Sequence, residues 1–555
     1  MGWVRLLVFL TLAAILILVI IPLQSPLIFL GSLIVGVVIF LLPLSHHQKL
    51  LDSLAYTETL IRVNQYEIDR NEKLFSDGVT YAEHSSLAAD IDIVGHGSLY
   101  QLINRCATSF GNMALVKNLI ANAPNPDFIL KRQSAIQELT PEINLRQDLI
   151  AIGLQGISNV SQKTVSESKL YYTTSGWKVL LTVWPFLSAA ALGLGIYVHG
   201  AFYALPFLAW WPLMQQSKRV NELYRETSGT SSMWKSHAKL FNRFDKASFK
   251  SEELVALKSV THGASEAIQK LAKLSARWDQ RQNGLAIGFM NTLSLFDIKC
   301  AFDYEGWKRD HQPQLGSWLE AIGHVEMLNS LATFAYNHES YVYPTLKSGK
   351  PEIDIQKMGH PLVATTSIVT NSIQLGSDGA VYVITGSNMS GKSTFLRAVG
   401  LNMILARAGA PVFAQTMTFV PMFLHTSFRQ SDSVQESTSY FMAELKRLKE
   451  IMTAVDQPGG SLVLLDEILR GTNSEDKSHG SEVLLEKLIT KNAITLLATH
   501  DLKLGELQTA HPGKVLNYCF ESEIREGELL FDYTIRPGIA KNKNATFLMK
   551  KMGIV

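Results

Sequence analysis

Eight residues bound this chain most tightly: Gly386-Ser-Asn-Met-Ser-Gly391-Lys392-Ser393. An apolar β-branched run, Val381-Tyr-Val-Ile-Thr385, leads into them, and a helical pattern, Lys392–Arg407, leads out. The spacing G-x-x-x-x-G-K-[ST] between a strand and a helix makes a loop whose glycines let backbone N–H groups converge on phosphate oxygens. The helix that follows adds the partial positive charge of its N-terminus. Gly386, Ser387, Asn388, Met389, Ser390, Gly391, Lys392, Ser393 and Thr394 are therefore the candidate nucleotide-binding residues. Lys392 reaches the β- and γ-phosphates, and the Ser393 hydroxyl binds Mg²⁺.

Two further strand patterns end in residues of the same chemistry. Ser461-Leu-Val-Leu-Leu465 runs into Asp466-Glu467, and Ala493–Thr499 runs into His500. A carboxylate at the tip of a buried strand can hold the Mg²⁺ shell, which falls to Asp466. Its neighbour Glu467 can orient the attacking water, and His500 can contact the γ-phosphate or that water. Phosphoryl transfer needs positioning and charge stabilisation more than covalent chemistry, so Glu467, Lys392 and His500 are the catalytic candidates, with ATP and Mg²⁺ as cofactors. Strand–helix alternation of this kind predicts a mainly parallel sheet covered by helices. Tyr518–Ile535 reads as an antiparallel hairpin turning at Arg525-Glu-Gly527, and Asn544–Lys551 as a closing helix.

The 346 residues before this region read differently. Stretches 46–170 and 215–345 are helical by apolar spacing, broken at Asn122-Ala-Pro-Asn-Pro126. Residues 3–21 and 27–44 are almost continuously apolar and are joined by Pro22-Leu-Gln-Ser-Pro26. Each run is about as long as a membrane span, on the order of 20 residues. A second apolar region runs from Val179 through Tyr197, breaks at His199-Gly200 and resumes to Leu213, with Trp177, Trp184, Trp210 and Trp211 near its ends. Both regions read as transmembrane hairpins. Arg5, Lys49, Lys178, Lys218 and Arg219 flank them on one side, which the positive-inside rule makes cytoplasmic. The expected divisions are a transmembrane hairpin (1–45), a helical core-like region (46–176), a second hairpin (177–214), a helical lever-like region (215–346) and an α/β P-loop NTPase domain (347–555). The expected address is a multi-pass protein of the cell membrane, with the lipid bilayer as a partner.

Composition excludes little. Formal net charge is +2, which neither selects nor rejects a nucleic-acid binder. Lys235, Lys239, Arg243, Lys246 and Lys250 form a basic stretch interleaved with Phe241, Phe244 and Phe249, and read better as a solvated helix face than as a phosphate-binding surface. Cys106, Cys300 and Cys519 are far apart and imply neither a zinc site nor a disulfide framework, as in a reducing cytosol.

Thr385–Arg397, Leu464-Leu-Asp-Glu-Ile468, Arg470-Gly-Thr472 and Ala498-Thr-His500 resemble the ATPase domain of the MutS family of mismatch-repair proteins. Phe419-Val-Pro421 and Ser431-Asp432 through Ser437-Thr-Ser-Tyr-Phe-Met442 extend the likeness, which runs from His360-Pro-Leu362 to the C-terminus. A weaker likeness joins Asp90–Gly95, Ser98-Leu99, Asn104–Thr108 and Lys131-Arg-Gln133 to the family's core domain. Ser387 stands where the family has proline, and Leu469 where it has glycine. By the same resemblance, the expectation is a variant without the family's mismatch-reading domain before the core-like region and without a nuclease-like domain after the ATPase.

The resemblance implies an ATP hydrolase working as a head-to-head homodimer, with Ser437 and Ser439 of one subunit approaching the γ-phosphate held by the other. It implies an adenine pocket near Ile368 and Tyr533, and coupling to double-stranded DNA. Two other functions fit the same residues: the motor of an ATP-driven transporter, and a nucleotide-switched membrane scaffold without DNA. A Leu-Ser-Gly-Gly-Gln-type transporter signature is absent before Ser461.

Overall fold

The computed structural model describes residues 11, 14–15, 26–69, 86–121, 125–156, 170–197, 201–282, 284–363, 368–376, 380–428, 440–455, 459–525 and 528–541. Helices occupy the described chain up to Asn337. Strands begin at Thr345 and alternate with helices thereafter.

Ten strands, β1 (Thr345–Leu346), β2 (Glu352–Met358), β3 (Asn371–Gly376), β4 (Val381–Gly386), β5 (Thr416–Phe419), β6 (Phe423–Ser427), β7 (Ser461–Asp466), β8 (Ala493–Thr499), β9 (Val515–Arg525) and β10 (Glu528–Pro537), build two sheets. The larger has the order β10-β9-β4-β8-β7-β6, and the smaller β1-β5-β2-β3. Within the larger sheet every pairing is parallel except β10 with β9. Strands β4, β7 and β8 are buried at every position. Their continuous apolar runs have helices to cover both faces, as a parallel sheet requires. β2 and β3 lie in the antiparallel part of the smaller sheet and mostly alternate buried and open positions.

The helical part closes on the strand part through one continuous apolar core. A 42-residue helix, Phe296–Asn337, is its spine and contains Pro313. Helix Ser109–Ile120 packs against it so closely that a Cβ at Gly323 would lie 2.7 Å from the backbone of Phe110. Residues that resembled a family core turn out to be joints between the two parts. Asp90 accepts a hydrogen bond from Thr426 Oγ1 (2.7 Å), Asp92 pairs with Arg397 of the phosphate-loop helix (2.5 Å), and Gln133 donates to Pro344 O (3.0 Å). Thr108 caps helix Ser109–Ile120, and its backbone N–H and that of Ala107 donate to the buried Glu326 carboxylate.

The expected transmembrane hairpins require correction. Among the described residues no helix is long and apolar enough to cross a membrane. The 3–21 run lies largely outside the described residues. The 27–44 run is the first part of a 44-residue helix, Pro26–Asp69, whose later turns dock on the helical region through Asp52–Lys235 (2.7 Å) and Glu67–Arg105. In the second region, helices Ser175–Tyr197 and Ala201–Thr227 pack with a third, Gly284–Ser294. Trp184 Nε1 donates to Thr292 O (3.0 Å), and Leu181, Ser188 and Ala209 are buried. Trp177 stacks edge-on against Tyr172 at 5.3 Å instead of marking a bilayer surface, although Trp210 and Trp211 remain exposed. Arg219, expected as a flanking charge, pairs with the fully buried Glu305 at 2.9 Å. Part of the second region thus packs against neighbouring helices, although Val179, Phe186, Leu194 and Leu208 stay exposed, and with no described helix able to cross a membrane the two hairpins, the bilayer partner and the cell-membrane placement lose their support.

Candidate functional site

The site forms because three parallel strands end side by side. In register, Thr385 of β4 lies beside Thr499 of β8, and Asp466 of β7 beside Ala498 of β8. The residues that follow each strand therefore emerge together at the carboxyl edge of the sheet, where ligands of open α/β sheets bind.

After β4 the chain turns through Gly386–Gly391 into helix Lys392–Arg407. Glycine is needed at both ends of the turn. Gly386 has φ +154°, and a Cβ there would lie 2.8 Å from Phe520 O; Gly391 has φ +103° and would press on the Tyr533 ring at 3.2 Å. Between them, Met389 adopts φ +67° and projects into solvent. Lys392 is buried and curls back over the loop, donating to Gly386 O and Ser387 O, both at 2.8 Å. Burial draws its ammonium down to about 8, against the opposing pull of Glu467 and Asp466. The hydroxyls of Ser387 and Ser390 and the Oδ1 of Asp466 are buried without a hydrogen-bond partner in the protein.

Glu467 follows β7 in the left-handed region at φ +49°, with its N–H bonded to Ala498 O (2.9 Å). Its carboxylate pairs with Arg470 and lies 2.5 Å from His500 Nε2. His500 first, then Arg470 and Lys392, pull the Glu467 carboxyl down to about 2, against the effect of burial. Leu469 also has a positive φ, +58°, at the position where the resemblance places glycine.

A cavity of about 440 Å³ opens beside the loop. Asn388–Phe395 and Glu467 line one side; Met358, His360, Val363, Ile368 and Tyr533 line the other. Asp466 and His500 are not among the lining residues. Tyr533 itself has φ +52°, at an irregularity in the β9–β10 pairing between Phe531 and Ile535. Asn371 holds that irregularity from β3: its Nδ2 donates to Tyr533 O (3.0 Å), and its Oδ1 accepts from Ile535 N (2.8 Å).

The structure thus brings together Gly386–Thr394, Asp466, Glu467, His500, Ile368 and Tyr533. Ser437, Ser439, the tip of the β9–β10 hairpin and the expected closing helix 544–551 lie outside the described residues. Asn371, His360 and the pairing of Arg470 with Glu467 were not foreseen. His360-Pro and Arg470-Gly-Thr stood out as motifs, but neither reveals a contact. The basic stretch divides: Lys235, Lys239, Arg243 and Lys246 line a groove of about 1130 Å³ beside Asp52 and Asp148, whereas Phe241 and Phe244 are core. Arg243 is paired with Asp148 (2.5 Å). Among the described residues no group of three or more His, Cys, Asp or Glu could hold a metal ion by itself. The three cysteines are buried and free.

A phosphate loop at the head of a parallel sheet, with an acidic pair at the tip of the next strand but one, defines the P-loop nucleotide-binding class. Residues 382–553 match the family model for MutS domain V. The chain is 34% identical over 239 residues to the DNA mismatch repair protein MutS of Natronomonas pharaonis, a stretch covering 42% of this chain and 27% of that relative. To the protein of the same name from Thermotoga maritima it is 31% identical over 240 residues, 42% of this chain and 30% of the relative. The endonuclease MutS2 of Streptococcus suis is 29% identical over 242 residues, 43% of this chain and 29% of the relative. Residues 382–553 are thus similar to domain V of MutS proteins. Each of the three pairwise matches spans less than a third of the relative's length.

Proposed function

We propose that the chain is a Mg²⁺-dependent ATP hydrolase that works as a head-to-head pair and couples nucleotide turnover to double-stranded DNA. One observation carries the hydrolase reading. An amine, two carboxylates and an imidazole meet at adjacent strand tips, beside a loop whose buried hydroxyls and Asp466 Oδ1 have no protein partner.

ATP would lay its phosphates along the N–H groups of 387–393 and the N-terminus of helix Lys392–Arg407. Lys392 Nζ would exchange two carbonyl oxygens for β- and γ-phosphate oxygens. Adenine would occupy the cavity between Ile368 and Tyr533. Ser393 and Asp466 would hold Mg²⁺, which supplies charge neutralisation across the phosphates. Glu467 would take a proton from the water whose oxygen attacks the γ-phosphorus as the bond to ADP breaks, with His500 orienting that carboxylate. Ser437 and Ser439 would complete the partner's site.

The names of the relatives motivate the DNA arm, and the lysine-lined groove is compatible with it. The transporter and membrane-scaffold readings lose their basis with the membrane hairpins. Calorimetry and turnover assays test the proposal. Lys392→Ala is expected to abolish the heat of ATP binding in magnesium buffer. Glu467→Gln is expected to keep binding and lose turnover by about a hundredfold or more. Wild-type turnover in Glu467→Gln would remove Glu467 as the base. Salt-dependent binding to duplex DNA, with and without ATP, tests the client; no binding at low salt would exclude DNA.

A further inference from the structure

The turn that presents Glu467 is strained and clamped from outside. Glu467 and Leu469 are both non-glycine residues in the left-handed region, a conformation that residues with a Cβ disfavour. Such geometry persists only where the surroundings impose it. Here they do: Glu444 Oε1 accepts from Leu469 N at 2.6 Å. Glu444 is itself buried, and the carboxyl is pushed up by that burial, with the Leu469 and Arg470 amides opposing. The turn lies flush on the same helix, since a Cβ at Gly471 would meet Phe441 Cβ at 2.8 Å. That helix, Tyr440–Ala454, begins one residue after Ser439. On the other side of the turn Arg470 holds the Glu467 carboxylate and donates from Nε to Glu467 O at 3.1 Å.

We propose that Glu444 is a positioning residue for hydrolysis: it ties the Glu467–Gly471 turn to the helix following the serine segment, and so sets when Glu467 can leave Arg470 for water. This rests on the reading of Glu467 as base. A shift of helix Tyr440–Ala454 moves Glu444, and through the Leu469 amide it moves the base. Hydrolysis is thereby tied to the position of helix Tyr440–Ala454, while ATP binding, which uses the loop and the Tyr533 side, is not.

The test compares Glu444→Ala, Glu444→Gln and Glu467→Gln in the full chain, measuring ATP affinity by calorimetry and single-turnover hydrolysis. Glu444→Ala is expected to leave affinity within about twofold and to slow hydrolysis by about tenfold or more. Glu444→Gln keeps an oxygen for the Leu469 amide and is expected to recover to within about threefold of wild type. Unchanged hydrolysis in Glu444→Ala alongside an inactive Glu467→Gln would overturn this proposal alone. Loss of affinity and rate together, without recovery in Glu444→Gln, would also overturn it. Full activity in Glu467→Gln would overturn the underlying reading instead.

Discussion

Lys392 is an amine kept in a place that disfavours its charge. Burial draws its ammonium down to about 8, and it has only backbone carbonyls to bond. Phosphate oxygens favour the charged form, so above pH 8 ATP binding must be accompanied by proton uptake. ATP affinity is expected to hold from pH 6 to 7.5 and to fall by about fivefold between pH 8 and 9. Calorimetry in buffers of different ionisation heat would detect both the weakening and the proton.

Glu326 is the opposite case. Burial raises it from 4.5 to about 7, although Thr108 and the Ala107 and Thr108 amides pull it down. Its folded-state pKa lies above the unfolded value, so its contribution is most favourable below pH 4.5 and is lost as pH rises through 7. Thermal melts should show Glu326→Gln removing a pH dependence of up to roughly 3 kcal/mol between pH 5 and 8. At this scale the phosphate loop and the acidic pair were legible, because glycine spacing and a strand-end carboxylate are local signals. The clamps were not. Asn371 acts across 162 residues and Glu444 across 25, and nothing near either position marks the partner.

Among elements, β4, β7, β8 and helix Lys392–Arg407 were readable from apolar runs bounded by turn residues. The apolar helices before them were misread. The length of an apolar run did not carry through to the helices formed, none of which, among the described residues, is long and apolar enough to cross a membrane, and partners such as Thr292 for Trp184 could not be read from the run itself. The joint between the helical part and the strand part was equally invisible. Its two acids should behave differently. Asp90 is buried, and Asp90→Ala leaves Thr426 Oγ1 without its acceptor, at an expected cost of about 1–3 kcal/mol in urea unfolding. Asp92→Ala removes a half-exposed ion pair and should cost less than about 1 kcal/mol.

For the whole molecule, the paired-head proposal makes turnover a property of two chains. ATPase activity per subunit is expected to rise with protein concentration. Ser437→Ala together with Ser439→Ala should suppress that rise while leaving ATP affinity intact; flat activity across a hundredfold dilution series that crosses from dimer to monomer would exclude it.

Helix Phe296–Asn337 gives such pairing a long reach. Its C-terminal end runs through Tyr341, which stacks on Phe413, into β1 of the smaller sheet; its other end begins beside Gly284–Ser294. At 1.5 Å per residue the rod is about 60 Å long, so a tilt of roughly 5° at the sheet would sweep the far tip through about 5 Å. Displacements no larger than a bond length around a triphosphate would arrive at the distant helices as a stroke wide enough to open or shut a seam.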